Sequence, residues 1–302
     1  MTVVLWFKHL IQYEWRINKM KVGLIGLGAM GVGMARNLAK AGYLSALYNR
    51  TASKAQELAQ ELNVTAYASP EELAQAVDVI LICVSADNDV LAVVNAIAST
   101  IKAGSVVIDM STVSSDTAKQ AAAILVQKQA DFLDAPVSGG VEGAKNGTLA
   151  MMVGGDEQVL ARVLSILNSM SSRVVLMGGT GSGQATKAVN QIMGAGINQA
   201  VTEALAFAGA QGLPLEKVIE VVSGGASGNW FLQHRGLTMT QDSFKAGFKL
   251  ALHHKDLKIC QTMAEQSNTP VPLVDMTVDA YGQLMAQGFG DEDISALYRL
   301  KR

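Results

Sequence analysis

The chain has 302 residues, 49% of them hydrophobic and 17% charged, with a formal net charge of −2. This is length for two domains or one large one with a sizeable core, and it leaves no basic surface of the kind nucleic acid demands. Aromatics at 5% weigh against a base-stacking platform, and no apolar run approaches the ~20 residues that span a bilayer. Cys83 and Cys260 form no C-x-x-C pair and read as buried free thiols of a reducing compartment, so the expected location is cytoplasmic. Residues 1–19 hold a short apolar patch, Val3 to Phe7, without the basic start or long apolar centre of a signal peptide. Met20 directly precedes the first apolar run, so these residues read as an N-terminal extension outside the fold.

From Lys21 the sequence becomes informative. Val22 to Ile25 is an apolar run of strand length, followed by Gly26, Gly28 and Gly31 in the spacing G-x-G-x-x-G. Met34, Ala35, Leu38 and Ala39 then fall on one face of a helix that Gly42 stops. A strand, a glycine turn and a helix are the first half of a dinucleotide-binding unit. The first glycine allows the turn, the second admits a pyrophosphate, and the third lets helix and strand pack closely.

The next strand, Tyr43 to Tyr48, ends in Asn49, Arg50 and Thr51. An NAD-binding unit would carry an acid near here for the ribose hydroxyls. No Asp or Glu lies between Gly23 and Lys54, and Arg50 offers a planar fork for a 2′-phosphate. This favours NADP(H), with NAD(H) as the alternative; the structural reading of Arg50 is a solvated helix-start residue. A helix over Ala52 to Leu62, a strand at Val64 to Tyr67 and a helix start at Ser69-Pro70-Glu71-Glu72 follow. Val77 to Val84 reads as a central parallel strand that opens at Val84 and Ser85 into a polar loop, Asp87 to Asp89. Ligands of open α/β sheets bind beyond the carboxyl ends of strands, which makes this loop a cofactor wall. The strand Ser105 to Asp109 ends in Met110, Ser111 and Thr112, which cap a helix or touch cofactor or substrate.

Asp131 to Asp134 is another strand, running into Val137-Ser138-Gly139-Gly140. One hydroxyl and several unobstructed backbone N–H groups suit a carboxylate. Strands at Leu149 to Val153 and Val174 to Met177 bracket a helix over Glu157 to Met170. A long helical run, Gly183 to Ala210, then opens a part that is helical almost throughout. The expected organisation is α/β: a Rossmann-type dinucleotide-binding domain over residues 20–180, then an all-α C-terminal domain over 181–302, joined by a long interdomain helix. Within that helix Lys187, Asn190 and Gln191 share one face. A lysine there is either a general acid with a lowered pKa or a surface lysine, and spacing leaves both open. His253 and His254 are adjacent and do not face one site on a helix, so no metal site is expected. Trp230 and Phe231 read as core.

Four segments, in order, carry a resemblance to the β-hydroxyacid dehydrogenases, the group that includes 3-hydroxyisobutyrate dehydrogenase and tartronate semialdehyde reductase. GLIGLGAMGVGMARNL resembles the family's cofactor fingerprint, DAPVSGGVEGAKNGTL its substrate loop, GSGQATKAVNQ its catalytic helix and KDLKI, from Lys255, a late motif near the nicotinamide. The resemblance implies that Lys187 is the catalytic acid/base and that Ser138, Gly139 and Gly140 hold a substrate carboxylate, with Asn190 or Gln191 orienting the substrate. It assigns Gly26, Leu27, Gly28, Ala29, Met30, Gly31, Asn49, Arg50 and Thr51 to the cofactor's phosphates and ribose. Val84, Ser85, Asp89, Thr112 and Lys255 would line the cofactor. Many members have two Asn residues after the lysine, where this chain has Asn190 and Gln191; the tartronate semialdehyde reductase branch is similar there.

The implied reaction is NADPH-dependent reduction of a short semialdehyde or keto acid to the hydroxy acid, and its reverse, by a homodimer or homotetramer. Two alternatives compete. An imine reductase of similar fold usually lacks a lysine at the Lys187 position, and a non-catalytic NADP-binding interaction protein would not need Lys187, Ser138 and Lys255 intact.

Overall fold

A computed structural model describes residues 20–302; the expected extension, residues 1–19, lies outside the described residues. The strands in chain order are β1 (Val22–Ile25), β2 (Leu44–Tyr48), β3 (Thr65–Ala66), β4 (Val79–Ile82), β5 (Val106–Asp109), β6 (Asp131–Asp134), β7 (Val137–Ser138), β8 (Leu149–Gly154) and β9 (Ser171–Gly178). The first six are parallel in the order β3-β2-β1-β4-β5-β6. This is the doubly wound arrangement, with its switch point between β1 and β4. Beyond β6 the sheet becomes mixed, with β8 antiparallel to β6 and β7 and parallel to β9.

Every residue of β1, β4 and β5 is buried, as their unbroken apolar runs require of strands covered on both faces. One core cluster centres on Leu24, Leu81, Ile108 and Leu38; the other centres on Ile25, Ile80, Val107 and Leu73. The covering helices are α1 (Ala29–Lys40), α2 (Ala52–Leu62), α3 (Pro70–Ala76), α4 (Asp87–Ile97), α5 (Ser115–Val126), α6 (Gly140–Asn146) and α7 (Glu157–Asn168). Local chemistry sets their ends. Ser69 Oγ accepts the Glu72 N–H and the Glu72 carboxylate accepts the Ala68 N–H, a reciprocal cap at the start of α3. Asp87 and Asp89 form the first turn of α4 rather than the expected polar loop, and acids there complement the positive end of the helix.

The chain divides into two compact units after Lys187. The helix α8 (Ser182–Ala210) contains that point. The second unit continues with α9 (Leu215–Ser223), α10 (Trp230–Thr240), α11 (Leu250–Gln266), α12 (Pro272–Ala286) and a 3-10 helix, Ile294–Leu300. Its core gathers Leu205, Phe231, Leu257, Val274, Tyr281 and Leu297. Asn198 Nδ2 donates to both Tyr281 Oη and the Ile294 carbonyl, each at 2.8 Å. Phe231 is core as expected; Trp230 is not, being exposed with its ring stacked on His234.

One close contact inside the first unit depends on a glycine. A Cβ on Gly33 of α1 would lie 2.8–2.9 Å from the Ala144 carbonyl group and the Lys145 nitrogen of α6. Asn37 Nδ2, one turn on, donates to the Ala144 carbonyl at 2.7 Å. Gly33→Ala is therefore expected to destabilise the fold by about 1–3 kcal/mol in urea unfolding. Gly209→Ala, where a Cβ would meet nothing within 4 Å, should be neutral or slightly stabilising.

Candidate active site

The carboxyl ends of the parallel strands gather most of the expected residues. Gly26 has φ +99°, and a Cβ on it would collide with the Cys83 carbonyl oxygen at the end of β4. A Cβ on Gly31 would collide with the Gly26 carbonyl oxygen, so the third glycine lets α1 close onto the turn. A Cβ on Gly28 would meet nothing within 4 Å. The N-terminus of α1 has no side-chain cap and no acid in its first turn, so its first N–H groups have no side-chain acceptor there. A cradle of this kind fits the pyrophosphate of a dinucleotide. Leu27 is buried and gives its N–H to Asn49 Oδ1 at 2.9 Å, while Asn49 Nδ2 donates to the Thr51 carbonyl at 3.1 Å. Asn49 thus ties the glycine loop to the end of β2. Arg50 is 90% exposed and pairs with Asp89 at 3.4 Å. A pair so exposed contributes little and leaves the guanidinium available. Ala29 opens α1 on the exposed side and Met30 is half-buried.

A polar network ties the ends of β4, β5 and β6 together. Ser111 Oγ accepts the Val84 N–H at 2.9 Å, and the Ser111 N–H goes to Asp109 Oδ1 at 3.0 Å. Ser85 and Thr112 follow directly on these two strand ends. Asp134, the last residue of β6, accepts the N–H of Gly181 at 2.7 Å and of Gln184 at 2.9 Å at the start of α8. The Gln184 side chain donates to the Ser111 carbonyl at 2.8 Å and accepts the Val113 N–H at 3.2 Å. Lys187 stands one turn further along α8 and is only 7% exposed, so burial replaces the surface reading. Ser138 is half-buried on β7, and Gly139 and Gly140 follow with φ of +127° and +60°. Those angles belong to glycine and keep the backbone unobstructed.

In the second unit Gln191 is buried and Asn190 half-buried. Gln191 Nε2 donates to Asp256 Oδ2 at 2.6 Å, and its Oε1 accepts Asn190 Nδ2 at 2.8 Å. Lys255 Nζ pairs with Asp256 Oδ1 at 2.9 Å.

Known proteins resemble this chain along most of its length. The family model for the NAD-binding domain of 6-phosphogluconate dehydrogenase matches residues 21–179. The model for the NAD-binding region of NADP-dependent 3-hydroxyisobutyrate dehydrogenase matches residues 181–301. The chain is 36% identical over 281 residues to a 2-hydroxy-3-oxopropionate reductase of Escherichia coli, covering 92% of this chain and 96% of that protein. The chain belongs to the β-hydroxyacid dehydrogenase family. It is 38% identical over 280 residues to an uncharacterized oxidoreductase of Shewanella frigidimarina, covering 92% of this chain and 96% of that one. The structure of a Mycobacterium tuberculosis 3-hydroxyisobutyrate dehydrogenase with L-serine aligns with TM-score 0.86 at 30% identity, over 94% of this chain and 99% of that one. The protein is an NAD(P)-dependent oxidoreductase acting on CH–OH groups, with the expected α/β fold and helical C-terminal part.

As a β-hydroxyacid dehydrogenase it carries, beside the expected residues, four polar side chains that the sequence reading passed over: Asp109, Asp134, Gln184 and Asp256. The two aspartates had a visible signal, since each ends a parallel strand at the side where such sheets bind ligands. Gln184 and Asp256 had none beyond their motifs. Among the described residues no cluster of three His, Cys, Asp or Glu side chains is placed to hold a metal, and no helix is long and apolar enough to cross a membrane.

Burial pushes the Asp109 carboxyl up to about 7, with the charges of Asp134 and Asp87 adding to the effect and the Ser111 hydrogen bonds opposing it. An unfolded aspartate titrates near 3.9, so between about pH 4 and pH 7 the native state holds a proton that the unfolded state has released. Stability from this group is present in acid and is lost as pH rises through about 7. Wild type compared with Asp109→Asn by urea unfolding should therefore lose relative stability from about pH 4 to about 7, approaching 1.4 kcal/mol per pH unit at its steepest, then level off.

Proposed function

We propose that this enzyme is a cytoplasmic, NADPH-dependent reductase that converts a short semialdehyde or keto acid to the hydroxy acid and runs the reverse oxidation. The observation that carries this reading is Lys187: a buried lysine whose helix is anchored to the strand-end loop that holds Thr112. Gly26 to Gly31, with the open N-terminus of α1, would hold the cofactor's pyrophosphate, and Asn49, Arg50 and Thr51 its ribose and 2′-phosphate. The absence of an acid at the end of β2 supports the phosphorylated cofactor. Val84, Ser85, Asp89, Thr112 and Lys255 are assigned to the rest of the cofactor. Bound NADPH would supply the hydride that reduces the carbonyl carbon.

Lys187 stabilises the charge that grows on the carbonyl oxygen and donates the proton to it; in oxidation it accepts that proton. Ser138 with the Gly139 and Gly140 backbone holds the substrate carboxylate and fixes the carbonyl for reaction. Asn190 or Gln191 orients the substrate; Asn190 is favoured, since Gln191 is held by Asp256 and by Asn190. The helical unit serves as substrate and oligomerisation domain, a reading supported by the exposed Val189, Met193 and Phe207 along α8.

The test is oxidation of NADPH and, separately, NADH with a panel of semialdehydes and glyoxylate. One preferred substrate with NADPH favoured is the expected result; equal use of both cofactors removes the role given to Arg50. Lys187→Ala should lower kcat by about 10²–10⁴-fold while NADPH binding is retained, and wild-type turnover in that variant refutes the mechanism. Arg50→Ala should raise the KM for NADPH roughly 10-fold or more and leave that for NADH nearly unchanged.

A further inference from the structure

Gln184 is buried to 1% exposure and stands one helical turn before Lys187. It is held from two directions. Its backbone N–H is fixed by Asp134 Oδ2 at 2.9 Å, at the end of β6. Its side chain reaches across to the loop after β5, where Nε2 donates to the Ser111 carbonyl at 2.8 Å and Oε1 accepts the Val113 N–H at 3.2 Å. The side-chain anchor, offset from the helix axis, adds a restraint on rotation of these first turns to that of the backbone anchor.

The amide is suited to this in a way an acid or a hydrocarbon is not. The loop presents one acceptor and one donor two residues apart, and a primary amide answers both. The held loop is itself part of the cofactor wall: it contains Thr112, and Ser111 Oγ accepts the Val84 N–H. A helix with side chains has a radius of about 5–6 Å, so a 10° rotation of α8 moves a side-chain end by about 1 Å. A displacement of that size at a reacting group lowers rate on the order of 10²-fold.

We infer that Gln184 is a positioning residue: by clamping the first turns of α8 to the Ser111–Val113 loop it sets where the Lys187 ammonium stands relative to the strand ends of the cofactor wall. This rests on the reading of Lys187 as proton donor. In this role Gln184 acts through the lysine rather than by contact with substrate or cofactor.

A double-mutant cycle tests it, because a residue that acts only through Lys187 loses its effect when Lys187 is gone. Gln184→Met keeps side-chain length and removes both hydrogen bonds. It should lower kcat on the order of 10²-fold with the KM for NADPH changed less than about threefold. In a Lys187→Ala background the same substitution should change the residual kcat by less than about threefold. NADPH affinity by fluorescence and the Tm of the cofactor-free protein are followed in all four proteins. Equal losses in both backgrounds, or no loss of kcat in the Gln184→Met single variant, overturn the inference and leave the role of Lys187 intact. Wild-type turnover in Lys187→Ala overturns the parent reading as well. Gln184→Glu keeps the acceptor for the Val113 N–H and puts a carboxyl oxygen in place of the donor to Ser111, so it enters the same cycle if Gln184→Met fails to fold.

Discussion

Asp134 ties the sheet to the start of the long helix through both oxygens of its carboxylate. It is fully buried, and it takes the Gly181 and Gln184 N–H groups that α8 cannot satisfy internally. Water does not reach this helix start, so each N–H left without the carboxylate would cost about 1–3 kcal/mol. A charged acceptor at a helix N-terminus also interacts favourably with the helix dipole. The contact needs small residues on both sides. A Cβ on Gly154 would collide with the Asp134 carboxylate, and one on Gly183 would collide with the Met152 carbonyl oxygen. Gly154 and Gly183 are there so that strand ends and helix start can touch.

A second buried acid sits directly beside the first. Asp109 and Asp134 are register partners on neighbouring parallel strands. Two anions side by side in the interior would be far more costly than one. The surroundings separate their roles. Asp134 faces helix N–H groups, which favour its charge against the burial that pushes its carboxyl upward. Asp109 receives one N–H, from Ser111, and its Oδ2 is buried without a hydrogen-bond partner. Its carboxyl therefore holds its proton to about pH 7. The helix start meets one negative charge at the strand ends, and the proton on Asp109 keeps the second from forming in acid.

The sequence was most legible where structure is local. The strand, glycine turn and helix from Val22 to Lys40 follow from spacing alone, and so does the reciprocal cap at Ser69. What it hid was long-range. Gln184 meets Ser111 across 73 residues and Asp134 across 50, and no periodicity encodes such pairs. The first turn of α4 was misread for a related reason. Asp87 and Asp89 look like a loop by polarity, yet as a helix start they satisfy dipole and hydrogen bonds, with Asp87 also accepting from Ser114 and Thr117. The burial of Lys187 was equally invisible, because it depends on what other segments bring against one face of α8.

The amides after Lys187 show the same limit at finer scale. Gln191 stands where many members of the family carry Asn, and spacing alone leaves Asn190 and Gln191 as equal candidates. Gln has one more methylene than Asn, and with it the side chain reaches Asp256 on α11 at 2.6 Å. That bond fixes which end of the amide points where, so the carbonyl is left to accept Asn190 Nδ2. Asp256 in turn is held by Lys255 at 2.9 Å. The order Lys255, Asp256, Gln191, Asn190 is then a line of partners in which each sets the orientation of the next. Breaking either of those bonds would cost about 1–3 kcal/mol, so the orientation of the Gln191 amide is fixed. Residue 191 thus sets the orientation of residue 190, and the longer side chain keeps an amide on the helix face.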